Sequence, residues 1–68
     1  MMSARLFSAL RELADGPVPE RKRYRSMADL QDLGLADLRE VENGRFIRWQ
    51  WEISEAGEAK LAEMEAKR

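Results

Sequence analysis

Four cations stand within five consecutive residues, Arg21-Lys22-Arg23-Tyr24-Arg25. At that density, guanidinium and ammonium groups can neutralise nucleic-acid phosphates or dock an acidic protein surface. Arg45 and Arg48 supply two further cations in a second stretch, around Phe46 and Ile47. Each set has a plainer reading beside the binding one. The basic run could be a solvated loop forming salt bridges with the acidic hairpin or the last helix. Arg45 and Arg48 could serve solubility and protect a strand edge. Trp49 and Trp51 could stack on bases, but they share parity with Ile47 and Ile53, which places them in the core.

Catalytic chemistry finds little to work with. The chain has no histidine and no cysteine, so the commonest general base, the commonest metal ligand and the thiolate are all missing. Ser26 and Ser54 read as helix caps, because neither stands in a nucleophile context. The carboxylates show neither an acid–base pair nor calcium-loop spacing. The expectation is a non-enzymatic protein with no cofactor, no metal and no small-molecule substrate.

Sixty-eight residues make one domain, 1–68, with a thin core under a charged surface. An apolar fraction of 44% with a net charge of −1 argues against disorder. The charge is unevenly spread. Residues 1–25 carry six basic and three acidic groups, whereas 26–51 and 52–68 each carry three basic and five acidic. No apolar run is long enough to span a membrane, and Arg11 and Glu12 interrupt any signal-peptide core. Cysteine-free composition makes a cytoplasmic setting the default.

Hydropathy and breaker residues lay out the elements that must carry the cations. Ser3 caps a first helix with Leu6, Phe7, Leu10 and Leu13 on its inner face and Arg5, Ser8, Arg11 and Glu12 largely opposite. Asp15-Gly16-Pro17 ends it, with Gly16 expected in the left-handed conformation. Gly16 to Pro19 is a rigid connector, and Pro19 could open one helical turn over 20–23. A short helix is expected over 26–33, capped by Ser26, with Met27, Leu30 and Leu33 inward and Gly34 as its stop. Ser26, Asp29, Gln31 and Asp32 are its outward positions. Asn43-Gly44 then predicts a hairpin. Its return strand puts Ile47, Trp49, Trp51 and Ile53 on the core side, and its turn end projects into solvent with Arg45, Phe46 and Arg48. Ser54 opens a last helix, with Glu55 and Glu58 in its first turn, Ala56, Leu61 and Met64 on its apolar face, Gly57 allowing close approach to the sheet, and Lys67 and Arg68 at its close.

Two passages resemble winged helix-turn-helix domains. Leu30-Gln31-Asp32-Leu33-Gly34-Leu35 is similar to that family's exit from recognition helix to first wing strand. Trp51-Glu52-Ile53-Ser54-Glu55-Ala56-Gly57-Glu58-Ala59-Lys60-Leu61 is similar to its passage from the wing into the last helix. The resemblance implies an α+β fold, a small winged-helix domain with helices packed on a two-stranded antiparallel hairpin, in the order α, short turn or helix, α, β, β, α. It departs from the family between residues 15 and 25, where eleven residues with two prolines replace a full helix and turn. It implies a DNA-binding transcriptional regulator or accessory factor acting on double-stranded DNA. Arg21, Lys22, Arg23, Arg25, Arg45 and Arg48 would meet phosphates, Gln31 an adenine edge and Ser26 a phosphate. Homodimerisation through the first and last helices would raise affinity. The acidic recognition helix and a pI near 5.4 leave a second expectation open, a winged helix that binds a protein partner or forms part of a larger assembly.

Overall fold

The computed structural model describes residues 2–67. Three helices and a three-stranded antiparallel sheet follow in the order α1 (Ala4–Asp15), β1 (Val18–Pro19), α2 (Tyr24–Asp32), β2 (Ala36–Asn43), β3 (Phe46–Ile53) and α3 (Glu55–Ala66). The Ser3 hydroxyl accepts from the Leu6 N–H at 3.2 Å and starts α1 as its sequence predicts. Ala9, Leu10 and Leu13 are buried along that helix. Gly16 ends it in an extended conformation, φ 154° and ψ 172°, rather than the expected left-handed one. That region also belongs to glycine.

The expected two-stranded hairpin is a three-stranded sheet in the order β1-β3-β2. β1 pairs Val18 with Trp51 and Pro19 with Gln50. Two residues are too few to leave a periodic signal, and proline argues against a strand. It is tolerated here because only alternate residues of an antiparallel strand bond to a given neighbour. Glu20 donates its N–H to the Trp49 carbonyl at 3.3 Å, so the missing N–H of Pro19 falls between bonding positions.

α2 begins at Tyr24, not at Ser26. Its N-cap is Arg23, held in the left-handed region at φ 54° and ψ 37° with no side-chain cap. Met27 and Leu30 are buried as predicted, but Leu33 is 58% exposed. The stop is as expected. Gly34, at φ 77°, donates to the Gln31 carbonyl at 2.9 Å, and Leu35 donates to the Leu30 carbonyl at 2.8 Å. This is the Schellman arrangement, in which a left-handed glycine returns two N–H groups to the last turn.

The hairpin turns one residue later than the Asn-Gly signal suggests. Asn43 pairs with Phe46, so Gly44 and Arg45 are the central residues. Gly44 is at φ 66° and Arg45 is not at positive φ, as a type II′ loop requires. Along β3 the predicted parity is present, but burial fades toward the turn. Trp51 is 1% exposed, Trp49 44% and Ile47 60%. Trp49 is therefore not a core residue: the distal hairpin extends beyond the helices, and the molecule measures 45 × 19 × 17 Å.

The core gathers Ala9, Leu10, Leu13, Val18, Met27, Leu30, Leu35, Ala36 and Trp51. The Ser54 hydroxyl accepts from the Gly57 N–H at 2.9 Å and donates to the Gly34 carbonyl at 2.7 Å, locking the start of α3 to the end of α2. A Cβ on Gly57 would collide with the Leu35 carbonyl and lie 2.8 Å from Ile53 Cγ1, so the predicted close approach is real. Leu61 packs against the core, whereas Ala56 is exposed. Lys67 pairs with Glu63 at 3.2 Å; Arg68 lies outside the described residues. Among those residues, no helix is long and apolar enough to cross a membrane.

Candidate nucleic-acid interface

The basic run sits on a strand-and-turn that occupies the span between α1 and α2. β1 anchors its start to β3. The Trp51 indole N–H then donates to the Glu20 carbonyl at 3.0 Å, and the Lys22 N–H donates to the Pro19 carbonyl at 3.0 Å. Arg23 turns the chain into α2 through its left-handed backbone. The span is thus part extended strand and part tight turn, with no helical turn of its own.

This geometry divides the run. Lys22 Nζ lies 2.7 Å from Glu12 Oε2, and Arg23 Nη1 lies 3.1 Å from Glu12 Oε1. The Arg23 guanidinium also reaches the Ser8 hydroxyl at 3.2 Å and the Arg5 carbonyl at 3.4 Å. These contacts hold the Glu12 carboxyl below its ordinary pKa, chiefly through the hydrogen bond from Lys22 and then that from Arg23. Two of the four cations therefore pin the turn to α1, not to the hairpin or the last helix. Arg21 and Arg25 are exposed and have no ion-pair partner among the described residues.

On α2, Ser26 is not the outward position expected of it. It is 6% exposed, and its hydroxyl accepts from Arg5 Nη1 at 2.8 Å. The other nitrogen of that fork, Nη2, lies 2.8 Å from Asp29 Oδ2. Arg5 thus neutralises one of the two acidic groups on the helix. Gln31 and Asp32 are exposed. Gln31 lies on the stripe that runs from Tyr24 through Ala28, and Tyr24 stands edge-on to Trp51 with ring centroids 5.8 Å apart.

Arg45 lies in the turn and Arg48 on β3, both exposed and without an ion pair among the described residues. The fold brings Arg48 to Arg21 across a groove of about 530 Å³ lined by Pro19, Glu20, Arg21, Ile47, Arg48 and Trp49. Arg39 is spent on Glu52 at 3.4 Å, and Arg11 on Glu65 at 3.6 Å. Sequence reasoning missed the parts played by Arg5 and Glu12. The available signal was their spacing with Ser8, which forms one polar stripe along α1. Comparison with family models, with curated proteins and with solved structures returned no match.

Proposed function

We propose that this chain is a non-enzymatic, winged-helix-like module that binds duplex DNA, as a small regulator or accessory factor. The observation that carries the reading is the sorting of its arginines. Arg5, Arg11, Arg23 and Arg39 are consumed by ion pairs that hold the fold. Arg21, Arg25, Arg45 and Arg48 stand on the turn, the start of α2 and the hairpin with no ion pair among the described residues. On this reading those four meet phosphates, and Gln31 meets a base edge. An α-helix such as α2, about 10–12 Å across with its side chains, fits the major-groove width of about 12 Å.

The test is fluorescence anisotropy of a labelled duplex titrated at about 50 and about 200 mM salt, the range over which phosphate-driven binding changes most. Four contacts at about −0.9 each imply a log–log slope near −3.6, about a hundredfold loss across that range. Replacing Arg21, Arg25, Arg45 and Arg48 together by glutamine is expected to remove binding while leaving the fold intact. Absence of binding at low salt would overturn the reading. One observation favours protein binding instead. Phe46, Ile47 and Trp49 expose large apolar surface on the hairpin, which phosphate recognition does not need.

A further inference from the structure

The two faces of the distal hairpin differ in charge. Directly opposed residues of paired strands share a face. The face that carries buried Ala36 and Trp51 also carries Leu38, then Glu40 opposite Trp49 and Glu42 opposite Ile47. The reverse face pairs Arg39 with Gln50, Val41 with Arg48 and Asn43 with Phe46. The cations Arg39 and Arg48 thus lie on the reverse face, and the carboxylates of Glu40 and Glu42 on the core-side face. Helices α1 and α2 cover the core-side face only over its proximal half. Beyond them, Trp49 is 44% exposed and Ile47 60%. Glu40 and Glu42 are exposed there, with no ion pair among the described residues. Tyr24, also exposed and edge-on to Trp51, extends the aromatic strip toward the helices. Glu20 and Arg21, opposite in sign, stand at its β1 side.

We propose that this uncovered face docks a basic amphipathic helix of a partner protein. Two successive cross-strand pairs each set a carboxylate beside an apolar side chain, Glu40 with Trp49 and Glu42 with Ile47. An ammonium or guanidinium over the Trp49 ring meets the negative π face and the Glu40 carboxylate together. The second pair lies two residues along the strand, about 6.8 Å away. Helix positions four apart are separated by about 6 Å along the axis. Two cations of one helical stripe therefore match the two glutamates, while an apolar stripe beside them covers Ile47 and Trp49. The ribbon of residues 40–43 and 46–49 is roughly 14 Å long, room for about two and a half turns. Helices already form the layer on the proximal half of this face, and the docked helix continues that layer. Nucleic acid is disfavoured, because its phosphates would face both carboxylates. Arg45 and Arg48, the hairpin cations proposed to meet DNA, lie at the turn and on the reverse face. The two surfaces are separate, so docking of a basic helix does not rest on DNA binding.

The probe is a synthetic helix of leucine, alanine and lysine, with lysines four residues apart beside a leucine stripe. It is titrated into the isotope-labelled full chain, without nucleic acid, and followed by NMR. Micromolar binding is expected to move the Ile47 methyl and Trp49 indole signals and to leave the Val41 methyls on the reverse face in place. The same peptide with glutamate for lysine should not bind. Glu40→Lys with Glu42→Lys should weaken the lysine peptide by about tenfold or more and admit the glutamate peptide. Both glutamates are exposed, so circular dichroism should be unchanged, and the shift map of the wild type needs no variant. Four outcomes would each overturn the proposal: no binding of the lysine peptide, equal binding of both peptides to the wild type, movement of Val41 or α3 signals in place of Ile47 and Trp49, or an affinity unchanged in the double variant.

Discussion

The indole N–H of Trp51 donates to the Glu20 carbonyl at 3.0 Å. This bond joins the most deeply buried ring of the sheet to the residue preceding Arg21, so the rigidity of the core extends to the start of the basic run. Trp51→Phe keeps an aromatic ring but removes the donor and leaves a smaller ring in a buried site, and is expected to cost about 1–3 kcal/mol. Trp51→Ala should cost about 3–5 kcal/mol, enough to unfold so small a chain. Trp49→Ala, at a residue 44% exposed, should cost less, about 1 kcal/mol. Urea denaturation of the three variants checks this order.

Arg23 combines a left-handed backbone with a guanidinium that holds α1. Arg23→Ala loses the contacts to Glu12 and Ser8 and retains the backbone strain. Arg23→Gly loses the same contacts but removes the strain, worth about 1–2 kcal/mol. The glycine variant is therefore expected to be the more stable of the two, although glycine's greater unfolded-state entropy offsets part of the difference. Thermal melts followed by far-UV circular dichroism compare them.

Gly57 and Gly34 are needed for different reasons. Gly57→Ala drives a methyl group into the Leu35 carbonyl and Ile53, displacing α3 from the sheet at a cost of about 1–3 kcal/mol. Gly34→Ala meets open space but must adopt positive φ, costing about 1–2 kcal/mol. Solvent exposure of α3 separates the two: hydrogen exchange in α3 should rise in Gly57→Ala relative to the rest of the chain and stay in proportion in Gly34→Ala.

Glu12 sets an acid limit on the turn. Its folded pKa is depressed by Lys22 and Arg23, so its contribution is present above the unfolded value and is lost as pH falls through the folded one. Stability should therefore decline once pH drops below the ordinary glutamate value of about 4.3. Glu63, lowered by Lys67, contributes in the same direction. Glu12→Gln is expected to reduce the difference in urea midpoint between neutral and acidic solution.

The two halves of the basic run should separate experimentally. Lys22→Gln is expected to affect stability and its pH dependence more than DNA affinity. On the proposed DNA-binding reading, Arg21→Gln and Arg25→Gln should each reduce the magnitude of the salt slope by about 0.9 and leave the stability within about 0.5 kcal/mol of wild type. Anisotropy and denaturation on the same preparations give both readouts.

Much of this architecture was legible as local chemistry. Ser3 and Ser54 are caps because a hydroxyl at that position satisfies an orphan N–H within three residues. Gly34 stops α2 because a left-handed residue there returns two N–H groups to the last turn, and Gly44 turns the hairpin. The alternation of Ile47, Trp49, Trp51 and Ile53 follows from the strand period, and Gly57 marks close packing because it lacks a side chain. Interactions of this range are written in neighbouring residues, so the sequence by itself determined the helices, the hairpin and the parity of β3. The tertiary structure alone decided what depends on distant partners. β1 is a strand only because β3 lies beside it, and Trp49 is exposed only because the core stops short of it. Ser26 is buried, and Lys22 and Arg23 are spent, because α1 brings Arg5 and Glu12 across the turn. Which arginines are held in ion pairs among the described residues is therefore set by contacts between residues far apart in the chain, and no local pattern encodes them.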